Sequence, residues 1–304
     1  NTFNQTFDPQ ISVSSGYTTI YLQTGYVRNT GLELSLGYGH TWNNNFRWDS
    51  NFTLSHNKNK IKELVRDYVH PETGELINKD RLDVGGLGKA RFILKEGGTL
   101  GDLYTQSDLK RDDNGMVDID PTGIVAIENN LPDIKLGSVF PKANLAWSNH
   151  FSWKGISLSA LFTARIGGIV YSATEAAMDQ YGVSERSALA RDNGGVLVNN
   201  RTLVDAQNYY TTIGSESGLP QYYTYNATNV RLQEASIGYL IPRKWLGNVC
   251  DIQVSVIGRN LWMIYNKAPF DPESVATTDN YYQGIDYFML PSTRNIGFNV
   301  KINF

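Results

Sequence analysis

Asn295-Ile-Gly-Phe-Asn-Val-Lys-Ile-Asn-Phe304 decides the reading of this chain. In an extended segment side chains alternate sides at every residue. Ile296, Phe298, Val300, Ile302 and Phe304 therefore share one face, and Asn295, Gly297, Asn299, Lys301 and Asn303 share the other. A strand of a soluble sandwich alternates in the same way, with a second sheet over its oily face. A strand of a membrane-spanning barrel turns that face to lipid and its polar face to a wet lumen. A run that stops on an aromatic residue, with nothing after it to cover the apolar side, predicts the barrel.

The 304 residues suffice for one large domain or two ordinary ones, and a hydrophobic fraction of 41% permits a packed fold. Mean hydropathy is −0.34. No run of roughly 18 apolar residues occurs, so a closed barrel is the remaining way to span a bilayer. The 18 Tyr, 12 Phe and 6 Trp suit interfacial girdles and sugar-stacking surfaces alike. A net charge of −3, evenly spread and without a basic run, argues against a nucleic-acid partner. The lone Cys250 excludes an intrachain disulfide and says nothing of redox compartment. The chain opens at Asn1 without a Met or an oily leader, which reads as a piece of a longer, processed precursor.

Leu32, Leu34, Leu36, Tyr38 and Trp42 alternate with Glu33, Ser35, Gly37, Gly39 and Thr41, and Asn43, Asn44 and Asn45 turn the chain. Phe46, Trp48, Phe52 and Leu54 alternate with Arg47, Asp49, Asn51, Thr53 and Ser55 on the return. Further strands are predicted at Ala143 to Phe151, at Ile156 to Ile166 after a turn at Trp153, Lys154 and Gly155, and at Val249 to Tyr265. Val230 to Ile241 slips parity between Leu232 and Ile237, as a β-bulge would make it, and the final strand runs from about Phe288. Parity places Arg165 on the polar side. Residues 1 to 29, with one short alternating run from Tyr17 to Leu22, predict mostly loop. So does the charged, aperiodic segment from Asn59 through Tyr68, Pro71 and Gly74 to Gly88. Ile169 to Tyr225 reads as another long loop with one short helix, Thr174 to Met178.

Between Asn59 and Ala143 a barrel needs an even number of crossings. Arg91 to Glu96 and Thr99 to Gln106, flanking Gly97-Gly98, predict a hairpin across the wall there, the alternative being no crossing at all. Tight turns at Asn43, at Lys154 and from Pro242 to Asn248 alternate with long loops after Asn59, Gly168 and Asn266. Outer-membrane barrels have this asymmetry, with short periplasmic turns and long extracellular loops. The predicted fold class is all-β, an antiparallel transmembrane β-barrel.

Several motifs fall in order along the chain. Asn29-Thr-Gly-Leu-Glu-Leu-Ser35 resembles the "N-x-G-[IV]-E-L" strand of the SusC/RagA-type TonB-dependent receptors, and Trp48 to Lys60 is similar to the strand that follows it. Val230-Arg-Leu-Gln-Glu-Ala-Ser-Ile-Gly-Tyr-Leu-Ile-Pro242 resembles "RLKNLSLGYTLP". Gly258-Arg-Asn-Leu-Trp262 with Asp271-Pro-Glu273 resembles "GQNLF…DPE". The resemblance implies that residues 1–304 are the carboxy-terminal part of a barrel of about 22 strands, with the plug domain and TonB box upstream and outside this chain. A complete barrel of about eight strands is the competing structural reading. The resemblance further implies TonB-dependent import of an oligosaccharide or a peptide across the outer membrane, with a SusD-type surface lipoprotein as partner and TonB acting through the missing plug.

Chemical motifs are sparse. His40, His56, His70 and His150 lack metal-ligand spacing and a nucleophile partner. Gly85, Gly86 and Gly88 before Lys89 imitate a phosphate loop without its full spacing. The family often carries an Asp-x-Asn-Gly-Asp-Gly loop whose oxygens suit calcium. Here Met116 and Val117 depart from it, leaving Asp112, Asn114, Asp118 and Asp120 as a calcium candidate set. Arg165 and Arg259 are the substrate-binding candidates on the lumen side. The long loops at residues 60–90, 107–140, 169–225 and 266–286 hold or adjoin Tyr68, Tyr104, Tyr171, Tyr181, Tyr209, Tyr210, Tyr222, Tyr223, Tyr281 and Tyr282. Such aromatic surface predicts docking of the lipoprotein, with packing of loop on loop as the plainer alternative. No catalysed reaction is expected. The rival is an adhesin or a barrel enzyme, which needs an acid–base or nucleophile cluster at the outer rim.

Overall fold

The structure, a computed structural model, describes residues 1–4, 6–7, 22–23, 25–69, 74, 76–247, 249–277 and 282–303. The run beginning at Tyr17 and the expectations on His70, Asn248, Tyr281 and Phe304 lie outside the described residues.

Alternating sequence makes a wall. Its long strands are β1 (Tyr26–Thr41), β2 (Arg47–Glu63), β3 (Ala143–Trp153), β4 (Ile156–Ile166), β5 (Asn229–Ile241), β6 (Asp251–Asn266) and β7 (Asn295–Asn303). Together with the two-residue strand Thr2–Phe3 they form one sheet whose spatial order is the chain order. Every neighbour is antiparallel.

Register then fixes the faces. Phe298, Val256, Ile237, Leu158, Phe151, Trp48 and His40 form one row across all seven long strands. Asn299, Ser255, Gly238, Ser157, Ser152, Arg47 and Thr41 form another on the opposite face. The apolar face is not packed into a protein core: Leu32 is 62% exposed, Ile237 57% and Phe298 70%. The expected bulge in β5 is present, since Gln233 is skipped between Leu232 and Glu234 in both ladders. It restores the parity of Ile237 to Ile241.

One end of the wall has tight turns. Asn45, at φ 62°, closes the first. Lys154 and Gly155, at φ 44° and 89°, make a two-residue turn with both residues left-handed, the type that suits the strand twist. Arg243–Leu246 winds one 3₁₀ turn that ends at the left-handed Gly247. The final strand begins at Asn295, later than the expected Phe288, because Pro291 denies the segment a ladder donor.

The other end carries a canopy built from the long connections, and the core lies there. Val27 and Ile61, where β1 and β2 leave the wall, pack with Phe92, Leu94, Leu103, Tyr171 and Tyr223. The wall needs no such core of its own, because its two faces are matched to two solvents.

The crossing hairpin expected around Gly97-Gly98 is a correction. Ala90–Lys95 and Asp102–Thr105 do pair, but within a separate four-stranded canopy sheet ordered Ile134–Ser138, Asp102–Thr105, Ala90–Lys95, Arg81–Leu87. β3 pairs directly with β2, so the wall is crossed no times between them. Phe92, Ile93 and Leu94 are consecutive and fully buried. That is the pattern of a strand covered on both faces and not of a wall strand. The segment expected to be loop from Asn59 to Gly88 also carries strands, Val65–Val69, Leu76–Lys79 and Arg81–Leu87. The short helix is α1 (Ala173–Gln180), and α2 (Glu185–Asp192) and α3 (Ala206–Gly214) follow it. Ser172, Ser184 and Asp205 cap their first turns by accepting from the backbone N–H of Glu175, Ser187 and Asn208.

Candidate functional site

Arg165 ends a line of polar side chains that runs straight across four strands. Glu33 in β1 faces Ser55 in β2, Ser55 faces Asn144 in β3, and Asn144 faces Arg165 in β4. The row beside it is Ser35, Thr53, Ala146 and Thr163. These side chains are short, so the wall is recessed here into a trough of about 670 Å³ under the canopy, with Glu273 and Gln233 also in its lining. The Arg165 guanidinium donates from Nη2 to Val139 O at 2.8 Å, and its Nε is buried without a partner.

Glu273 is held by its own network. Arg231, 4% exposed on the polar face of β5, donates to both carboxylate oxygens of Asp271 at 2.8 and 3.2 Å. Its Nε donates to Asn229 Oδ1 at 3.2 Å, and Asn229 Nδ2 donates to Glu273 Oε1 at 3.1 Å. Ser292 Oγ donates to Asp271 Oδ2, while Asn260 Nδ2 donates to Thr293 O at 3.3 Å. Burial pushes the Asp271 carboxyl up, but the hydrogen bonds from Arg231, Ser292 and the Glu273 N–H outweigh it, so its pKa lies below the ordinary 3.8. Asp271 directly, and Ser292 through it, are thereby fastened to one buried arginine. The sequence motifs held Arg231, Asn260 and Asp271 in plain sight but gave no sign that they meet.

The other candidates lie elsewhere. Arg259 is paired with Glu234 at 2.8 Å and is 67% exposed at its side chain. Its partner in β5 is five positions beyond the partner of Arg165, on the order of 15 Å along the strand. The two arginines are not brought together. Asp112 Oδ1 accepts from the backbone N–H of Asn114 and of Met116, each at 2.9 Å, and Asp118 is paired with Lys110 at 2.7 Å. Asp120 Oδ1 accepts in the same way from the backbone of Thr122 and Ile124. These carboxylates hold turns, not a common point. Among the described residues no three His, Cys, Asp or Glu side chains converge on a metal position. The donor set does not fit a calcium cage.

Most of the canopy tyrosines are packed inside it, which corrects the expected aromatic surface. Tyr171 and Tyr223 are fully buried, and Tyr104 nearly so. Tyr68, Tyr209, Tyr210 and Tyr222 pack against the core. Tyr223 donates its hydroxyl to Asp179 Oδ2 at 3.0 Å, and burial followed by that carboxylate holds its pKa far above the ordinary tyrosine value. Tyr181 and Tyr282 remain exposed, at 77% and 39%.

An open antiparallel wall, apolar on one face and polar on the other, with tight turns at one end and a folded canopy at the other, defines a segment of a large membrane barrel. No family model matches the chain. It is 25% identical to TonB-dependent receptor P3 of Formosa agariphila over 94% of its own length and 30% of that protein. To TonB-dependent receptor P26 of the same organism it is 24% identical, over 98% of its length and 31% of that protein. It thus spans about a third of the curated relatives it matches. Among solved structures the RagAB peptide transporter superposes with a TM-score of 0.69 at 18% identity, covering 99% of this chain and 32% of that one. The RagAB peptide importer in its closed-closed state gives 0.66 at the same 18% identity, covering 99% and 32%. At that identity the superposition shows the fold. The likeness to TonB-dependent receptors expected from the motifs is therefore present over nearly the whole chain, and it falls in the carboxy-terminal part of those larger proteins. No described helix is long and apolar enough to cross a membrane, which has no bearing on crossing by strands.

Proposed function

We propose that residues 1–304 are the carboxy-terminal part of the barrel of an outer-membrane TonB-dependent importer of the SusC/RagA type. One observation carries the reading: a mainly apolar face runs across seven strands and lies exposed, in a chain that matches TonB-dependent receptors nearly end to end. The wall is open at both edges among the described residues. β1 meets only Thr2–Phe3 beyond β2, and β7 pairs only with β6. In lipid such edges require further strands, which a barrel of about 22 would supply. On this reading the canopy faces the outside and the tight turns the periplasm. A plug outside this chain couples the barrel to TonB, and a SusD-type lipoprotein seats on the canopy. The cargo is a nutrient, an oligosaccharide or a peptide, and no bond is made or broken.

The test is uptake by cells expressing the full-length protein, with and without TonB, together with pull-down from detergent-solubilised membranes. Uptake that vanishes without TonB and a copurifying surface lipoprotein are expected. Uptake that persists without TonB, with no lipoprotein recovered, replaces the importer by an adhesin or a surface enzyme.

A further inference from the structure

Resting on the importer reading above, we infer that the trough holds a short extended peptide by its two ends, the ammonium at Glu33 and the carboxylate at Arg165. The geometry is set by register. Glu33 and Arg165 stand on one straight line across β1 to β4, three strand spacings or about 14 Å apart. An extended chain advances about 3.3 to 3.6 Å per residue, so about four residues span that line with their charged ends over the two side chains. Between them the floor is Ser55 and Asn144, with Ser35 and Thr53 beside, small groups that let a peptide main chain approach and that both donate and accept hydrogen bonds.

The charges are available. Arg165 spends one N–H on Val139 O, and among the described residues it has no carboxylate within ion-pair distance. Glu273 shares the trough and acts on Arg165 across it, but its hydrogen bond and ion pair go to Asn229 and Arg231. Glu33 is exposed on the polar face of β1. A neutral glycan would cover a guanidinium without neutralising it, which costs free energy. Among the described residues no Trp, Tyr or Phe lines the trough, so a sugar ring finds no flat apolar plate there to lie on.

The experiment is isothermal titration of the full-length protein in detergent with tetra-alanine bearing free ends, and with its N-acetyl and C-amide forms. Capping either end is expected to weaken binding on the order of tenfold, the loss of one charge-assisted contact. Arg165→Gln is expected to erase the difference between acid and amide while keeping that between amine and acetyl, and Glu33→Gln to do the reverse. Each variant thus reports that the other half of the site still stands. Equal binding of free and capped peptides, capping effects unaltered in the variants, or no binding of tetra-alanine overturns the inference, the last two including the case in which another part of the full-length protein fills the trough. TonB-dependent uptake measured alongside separates the two levels. If it persists, the importer reading stands although the peptide site has failed.

Discussion

At Val300 and Asn299 the wall's two solvents are one peptide bond apart. Both residues are exposed in β7, yet Val300 faces Val254 on the apolar side and Asn299 faces Ser255 on the polar side. An arginine in lipid near the midplane costs roughly 2 to 4 kcal/mol, and in the lumen next to nothing. Val300→Arg is therefore expected to lower the refolding free energy in lipid vesicles by about that amount, while Asn299→Arg leaves it within error. Similar losses for both would deny the membrane face. Single residues also show where alternation misleads. Ser50 and Asn149 are polar but share the parity of the apolar face. The structure resolves the conflict by covering them: Trp147 Nε1 donates to Ser50 Oγ at 3.0 Å and Trp48 Nε1 to Asn149 Oδ1 at 3.1 Å. The sequence shows the mismatch, and only the neighbouring strand shows the indole that answers it.

Among the elements, the described parts of the segment 267–294 are tied to the wall at Arg231, which holds Asp271 and, through it, Ser292. Removing Arg231 leaves Asp271, 10% exposed at its side chain, without its cation, a change that costs on the order of 3 to 5 kcal/mol where such a pair is buried. Arg231→Ala is expected to open this segment to limited proteolysis while the wall strands stay protected. Acid acts through the other partner. A carboxylate whose folded pKa lies below its unfolded value adds stability that is complete above the unfolded value and is lost as pH falls through the folded one. The same proteolytic opening is thus expected below the ordinary carboxylate value of 3.8, and Asp271→Asn is expected to flatten that dependence. The wall strands were legible from the sequence because each shows two residues of period against two different media. The canopy was not. Its helices are only eight or nine residues long and its buried strands, such as Phe92-Ile93-Leu94, have no period to read. The capping residues Ser172, Ser184 and Asp205 were the one local signal available.

For the molecule as a whole, the trough was half legible. Parity placed Arg165 on the polar face, but Glu33 and Arg165 are 132 positions apart in number, and only the direct pairing of β3 on β2 sets them in line. The expected extra hairpin would have inserted two strands between them and destroyed the site. The distribution of rings across the wall has an optical consequence. Trp48, Trp147, Trp153 and Trp262 all have apolar-face parity, and Trp42 and Trp245 sit at the tight turns. On the importer reading, indole emission from this segment is expected to report on the bilayer and not on cargo. Vesicles of brominated lipid are expected to quench it strongly, whereas saturating peptide leaves its intensity and wavelength unchanged. Signal that follows the peptide would mean that a tryptophan looks inward.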